Sequence, residues 1–285
     1  MNILILLELI IALLFITSFQ SCFQPELKRG DENWSFIVFG DIRRGFGIYS
    51  RIAKNISEIE PTPELSICMG DIMHVSGNEA EWENFWRYSK PLTEIMPYYF
   101  ARGNHEGNDA VSERIFKEQI AFFRDRDSTF YYAIHHKKQH FIVLDTYIRG
   151  QVNSVVSNQR IWLKNQLDST ALQADIENVF IFMHHPLYPQ GKYKGINLVN
   201  AEEMHELFKE YYKIRAVFAS HEHSYSYYKR EGVDYFITGG AGAQLYSGYG
   251  GDVYHYLKIS FYEDKKRVNI KAIGIFNEIV EDFDL

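Results

Sequence analysis

Cysteine is scarce: the 285 residues hold two, Cys22 and Cys68. That excludes a disulfide framework, and Cys68, set in an apolar run, reads as a small core residue. Positive charge is not in excess either. The formal charge of −7 gives no electrostatic reason to expect nucleic acid as the main partner. No internal repeat or low-complexity tract occurs. No nucleophile elbow, P-loop or dinucleotide fingerprint occurs, and Gly239-Gly240-Ala241-Gly242 has the wrong spacing for the last of these. What remains is an ordinary globular composition, 46% hydrophobic and 24% charged, long enough for a substantial core. Aromatics reach 16%, with many tyrosines in the last third, which suits a β-rich region with exposed loops.

Long apolar runs are also missing, apart from one near the start. Ile3 to Ile16 is almost wholly apolar but short for a membrane span, and has the length of a signal-peptide core. Ser21 before Cys22 resembles a bacterial lipoprotein cleavage site. Phe19, Gln20 and Glu8 depart from that pattern, as does the lack of Lys or Arg at the start. An ordinary secretory signal and an uncleaved anchor are the alternatives; all three export the rest. The expectation is a signal peptide over 1–21, lipidation at Cys22, a polar tether over 22–33 and one domain over 34–285. The protein would then be a membrane-anchored lipoprotein of the bacterial cell envelope or periplasm.

Five short apolar runs each end abruptly in Asp, Asn or His. Ser35–Phe39 meets Gly40-Asp41, and Leu65–Met69 meets Gly70-Asp71. Tyr99–Ala101 leads to Gly103-Asn104-His105-Glu106, Val179–Met183 to His184-His185-Pro186, and Ala216–Ser220 to His221-Glu222-His223. Such runs read as buried strands, and ligand sites in open α/β sheets lie beyond the carboxyl ends of their strands. Between them, helices are expected after Gly47 (Ile48, Ile52, Ile56 and Ile59 on one face), over Glu79–Tyr88, Ala110–Arg124, Gln159–Leu167 and Ala201–Tyr212. A hairpin is expected from Thr129 to Leu144 around His136–Gln139. Strands follow from Tyr225, at Tyr235–Thr238, Tyr254–Phe261 and Val268–Phe276. Two carboxylates, an amide and several imidazoles suit a borderline divalent metal, whereas Ca would want mostly oxygen and Cu(I) sulfur.

The ordered set of five motifs resembles the calcineurin-like metallophosphoesterase superfamily, over roughly residues 34–276. Gln159, Trp162 and Leu163, together with Ile237–Gly242, are similar to its purple acid phosphatase branch. The resemblance implies an α/β fold, a four-layer α/β/β/α sandwich of two packed mixed sheets flanked by helices. It implies two divalent ions of Fe, Mn or Zn, with Asp71 bridging. Asp41 and His223 would bind the first ion, and Asn104, His184 and His221 the second. His184 is preferred to His185 because the family ligand lies two residues before the Pro. His105 would protonate the leaving alkoxide or stabilise the phosphoryl group. The implied reaction is phosphoester hydrolysis, monoesters before diesters, by attack of metal-bound hydroxide on a phosphorylated small molecule.

One position departs from the pattern. The first motif is commonly Asp-Xaa-His with the His a ligand, and here Arg43 stands in its place, which cannot ligate a cation. His74 could complete the first site, could assist catalysis without ligating, or the first ion could be weakly held. Arg43 reads as a phosphate clamp or as a salt-bridge partner of Asp41 or Asp71. His185 is a candidate for the substrate pocket. A diesterase and a non-catalytic binding lipoprotein are the rival readings.

Overall fold

The computed structural model describes residues 33–124, 129–262 and 267–285. The expected leader, Cys22 and nearly all of the tether lie outside the described residues. In chain order the elements are β1 (Trp34–Phe39), α1 (Phe46–Ser57), β2 (Leu65–Cys68), α2 (Glu79–Thr93) and β3 (Tyr98–Phe100). A short 3-10 turn at Asn104–Glu106 precedes α3 (Ala110–Gln119), α4 (Ala121–Arg124), β4 (Tyr132–His136), β5 (Gln139–Val143), β6 (Tyr147–Ile148) and β7 (Gln151–Val152). Then come α5 (Ser157–Leu172), β8 (Asn178–Phe182), α6 (Ala201–Lys209), β9 (Ile214–Ala219), β10 (Tyr225–Arg230) and β11 (Val233–Thr238). The last strands are β12 (His255–Tyr262), β13 (Arg267–Gly274) and β14 (Ile279–Asp284).

Two six-stranded mixed sheets result, ordered β14-β13-β12-β1-β2-β3 and β10-β11-β9-β8-β5-β4. β1, β2 and β3 run parallel, as do β5, β8, β9 and β11, so five of the short apolar runs point their carboxyl ends the same way within their sheets. The period-2 alternation of each strand sorts its side chains between two faces. Phe36 of β1 meets Phe141 and Phe180 of the other sheet with ring centroids at 5.1 and 5.5 Å, while Phe39 packs on Tyr49 of α1 at 5.8 Å. On β8, Phe180 and Phe182 join that inter-sheet core, and Val179 and Ile181 face outward with Leu163 and Leu167 of α5 and Met204 and Phe208 of α6. Helices therefore cover the outer faces, giving the four layers.

Several boundaries differ from expectation. α2 runs on to Thr93 through Pro91, and the expected helix over Ala110–Arg124 breaks at Ile120, whose backbone is extended. α1 buries Tyr49, Ile52, Ala53 and Ile56, leaving Ile48 and Ile59 at its margins, and α6 stops at Lys209. The strand expected to reach Phe276 ends at Gly274, with Phe276 exposed. Cys68 is buried and free.

Candidate metal centre

The loops after β1, β2, β3, β8 and β9 meet at one place. Asp41, Asp71, His221 and His223 have φ of 60, 52, 73 and 43°, left-handed values that are costly for residues with a side chain. These residues follow closely on β1, β2 and β9. The Asp41 N–H donates to the Gly70 carbonyl at 3.0 Å, and Ile42 and Arg43 N–H donate to the Asp71 carbonyl at 2.9 and 3.0 Å. Gly103 packs so tightly on Asp71 that a Cβ there would overlap its carboxylate. Glu106 ties these turns together, accepting N–H from Asp71, Ile72, Met73 and Gly103 at 2.9, 2.7, 3.2 and 2.8 Å. Burial and then the Asp71 charge push the Glu106 carboxyl up to about 7, against the Gly103, Met73 and Asp71 N–H donors.

His184 Nδ1 lies 2.8 Å from the Met69 carbonyl, which only accepts, so Nδ1 carries the proton and Nε2 presents a lone pair. Around that Nε2 stand Asn104 Oδ1 at 3.0 Å, His221 Nδ1 at 3.2 Å and Asp71 Oδ1 at 3.4 Å. The same logic holds beside it. His223 Nδ1 donates to the Gln244 carbonyl at 2.8 Å, leaving Nε2 to face Asp41 Oδ1 at 3.6 Å. Asp41 Oδ2 accepts from His221 N–H at 2.7 Å and from Ser220 Oγ, whereas Oδ1 is buried with no hydrogen-bond partner. The lone pairs of His184 Nε2, Asn104 Oδ1 and Asp71 Oδ1, and of His223 Nε2 and Asp41 Oδ1, repel at these distances unless cations or protons lie among them. Protons are disfavoured, because burial lowers His184 to about 3, His221 to about 2 and His223 to about 4. Asp41 is raised well above the usual range by burial and then by Asp71, an anion short of positive charge. Neutral imidazoles and a carboxylate oxygen without a donor are what divalent ions bind, so the donor set fits them. Ligand atoms of Asp41, Asp71 and His184 come within 4.8 Å of one another, as do those of His184, His185 and His221.

The remaining candidates lie around this cluster. Arg43 makes no ion pair with Asp41 or Asp71 among the described residues; its Nη2 donates to His74 Nδ1 at 2.8 Å. The rings of His74 and His105 stack at 5.6 Å, and His105 Nδ1 donates to the His74 carbonyl at 2.7 Å. His105 Nε2 lies 3.9 Å from Asp71 Oδ2. His185 is buried, its Nδ1 2.8 Å from Thr146 Oγ1 and its ring 4.5 Å from that of His221. Arg102 does not face the centre. It is spent on Asp145 (2.6 Å) and Glu113 (2.9 Å), under the Phe130 ring.

Sequence reasoning assigned no role to Glu106, Glu222, Tyr193 or Ser220. Glu222, between the two histidines, accepts N–H from Gln190 at 2.5 Å and Tyr193 at 3.0 Å, fixing that loop over the site. Tyr193 stacks on His221 and Tyr246 on His223, at 4.9 and 4.5 Å. The only signal for Glu106 and Glu222 was their place inside ligand motifs.

A two-sheet sandwich carrying clustered carboxylate, amide and imidazole donors at its strand ends defines a metal-dependent phosphoesterase architecture. The chain belongs to the calcineurin-like phosphoesterase family, whose model matches residues 35–225. It is 24% identical over 227 residues to a purple acid phosphatase of Glycine max, covering 74% of this chain and 47% of that one. The chain thus spans about half the length of that curated relative. The fold is similar to that of the purple acid phosphatase PPD1 of yellow lupin, with TM-score 0.74 and 14% identity over 90% of this chain and 54% of the lupin chain. A dimetal phosphatase of Danio rerio gives TM-score 0.63 and 15% identity, over 89% of this chain and 99% of that one.

Proposed function

We propose that the protein hydrolyses phosphoesters with the help of two divalent ions, preferring monoesters. The observation that carries this reading is the convergence of Asp71, Asn104 and His221 on His184 Nε2, with Asp41 and His223 alongside. Asp41, His223 and Asp71 would hold one ion, and Asp71, Asn104, His184 and His221 the other. When bound, such ions acidify water and offset phosphoryl charge. The chain's own residues supply the rest. Arg43 brings a guanidinium beside the centre, where a monoester dianion gains more from it than a diester monoanion does. His105, with Nδ1 held by the His74 carbonyl, takes up and returns a proton at Nε2, next to the departing alkoxide. His74 Nδ1 is engaged by Arg43, which favours the helper over the ligand role for it.

A second reading, a diesterase, is favoured by an uncharged groove of about 230 Å³ beside the cluster, lined by His185, Pro186, Pro189, Tyr193, Ile196 and His221 among others. It has room for a second substituent on phosphorus. Assay of p-nitrophenyl phosphate beside bis-p-nitrophenyl phosphate separates the two: faster turnover of the monoester is expected, and a clear excess on the diester overturns the preference. Export and lipid anchoring at Cys22 rest on the sequence of residues 1–22; labelling with a radioactive fatty acid that is lost in Cys22→Ala tests them.

A further inference from the structure

Beside the metal centre lies a groove of about 460 Å³ whose charged lining is all basic. Its lining includes Arg43 and His74, bonded to each other, Gln244, whose carbonyl holds His223, and Arg44, Ile48 and Tyr254. No carboxylate lines it among the described residues, although the chain as a whole carries −7. Arg44 is the unexplained member. Its side chain is 63% exposed, and its Nε donates to Glu81 Oε1 at 3.1 Å. Glu81 also accepts the N–H groups of His74 and Val75, so its charge is shared among several donors. Neither Nη of Arg44 makes a hydrogen bond among the described residues, and both are left for a ligand. One guanidinium suffices for the scissile phosphate; a second, one residue along and largely exposed, suits a second anion.

We propose that the Arg44 end of this groove binds a second phosphate, on the leaving-group side of the substrate, so that the preferred substrates are bisphosphorylated small molecules. The proposal rests on the phosphoester hydrolase reading for the inner end. The scissile phosphate sits by Arg43, the carbon skeleton crosses the groove against Ile48 and Tyr254, and the second phosphate meets the Arg44 fork. Because Arg44 is exposed, the attraction weakens as salt rises.

The test compares fructose 1,6-bisphosphate with fructose 1-phosphate and fructose 6-phosphate, by phosphate release from the metal-loaded full chain. The expected ratio of kcat/KM is about tenfold or more in favour of the bisphosphate, the size of one charge-assisted contact. In Arg44→Ala the ratio falls to about two, the statistical value for two phosphates, and Arg44→Lys restores part of it. A wild-type ratio near two, or a ratio that Arg44→Ala leaves intact, overturns the subsite. If none of the sugars is hydrolysed, calorimetric titration with the same three reads the groove without turnover. Bisphosphate binding about tenfold tighter, lost in Arg44→Ala, then keeps the subsite and removes the hydrolase reading; equal binding removes the subsite.

Discussion

Arg43 Nη2 stands 2.8 Å from His74 Nδ1. A guanidinium only donates, so His74 must accept at Nδ1 and, when neutral, carry its proton on Nε2. Burial and then the Arg43 charge lower the His74 pKa, in keeping with a neutral ring. The contact holds the guanidinium beside the cluster while its Nε stays buried without a partner. An arginine and a histidine thus share the wall that a ligating histidine would otherwise occupy.

Arg43→Ala is expected to raise KM for p-nitrophenyl phosphate about tenfold, with a smaller change in kcat, as a lost charge-assisted contact made in both ground and transition states requires. Arg43→Lys should recover only part, since an ammonium lacks the planar fork. Steady-state kinetics decide. An unaltered KM with lowered kcat would mean that the guanidinium acts in the transition state alone.

Asp71 offers Oδ1 to the His184 cluster and Oδ2 on the side of His105. Asp71→Asn should lower metal content, read by elemental analysis, from about two ions per chain toward one or none. Chelation should lower the Tm of the wild type by about 5–10 °C, since ligand at a hundred times its Kd stabilises by about 2.7 kcal/mol and each kcal/mol moves a chain of this size by about 2–4 °C. A variant whose Tm responds to chelation as the wild type does would count against the bridging role.

Glu222 accepts backbone N–H from Gln190, Gly191 and Tyr193, holding the loop whose Tyr193 stacks on His221. Glu222→Ala leaves those donors without their acceptor, at about 1–3 kcal/mol locally. Amide exchange at 190–193 should accelerate about tenfold or more, with a smaller shift in the global unfolding midpoint. Unchanged exchange would show that the loop is held by other contacts.

His255 is fully buried, bonded to the Val253 carbonyl at 2.8 Å and to Thr238 Oγ1 at 3.1 Å, and burial lowers its pKa to about 4. The unfolded chain, with an ordinary histidine near 6.5, binds the extra proton between those values. Stability therefore rises with pH across that window and is lost as pH falls through it, at up to about 1.4 kcal/mol per pH unit for this residue. His255→Gln should flatten the curve of unfolding free energy against pH between about 4 and 6.5. A slope identical to that of the wild type would assign the pH dependence to other histidines.

The strands that carry the centre were legible because each is a buried apolar run cut off by Gly-Asp, Gly-Asn, His-His or His-Glu-His, and burial on both faces demands such runs. β14 was not: Ile279–Asp284 lacks such a run, and becomes a strand through the ladder that β13 offers it. The break at Ile120 and the passage of α2 through Pro91 are likewise decided by packing, here of Phe116 and Phe123 and of Phe85 and Leu92 into the core. Gly239–Gly242 reads from sequence as a tight turn, and it backs Asp41, with Ala241 N–H on the Gly40 carbonyl and Ala243 N–H on that of Asp41.

Chemical type and order were therefore written in the chain: which residues can donate to a divalent ion, and that each follows a strand. Placement was not. Whether Arg43 pairs with a carboxylate or with His74, and which oxygen of Asp41 goes without a donor, depend on atoms far apart in sequence. Local propensity acts over a few residues, whereas lone pairs brought within about 3 Å by different strands interact only after the sheets have packed. Composition and motif could announce a metal-binding edge; its spare valences and its basic groove came into being with the fold.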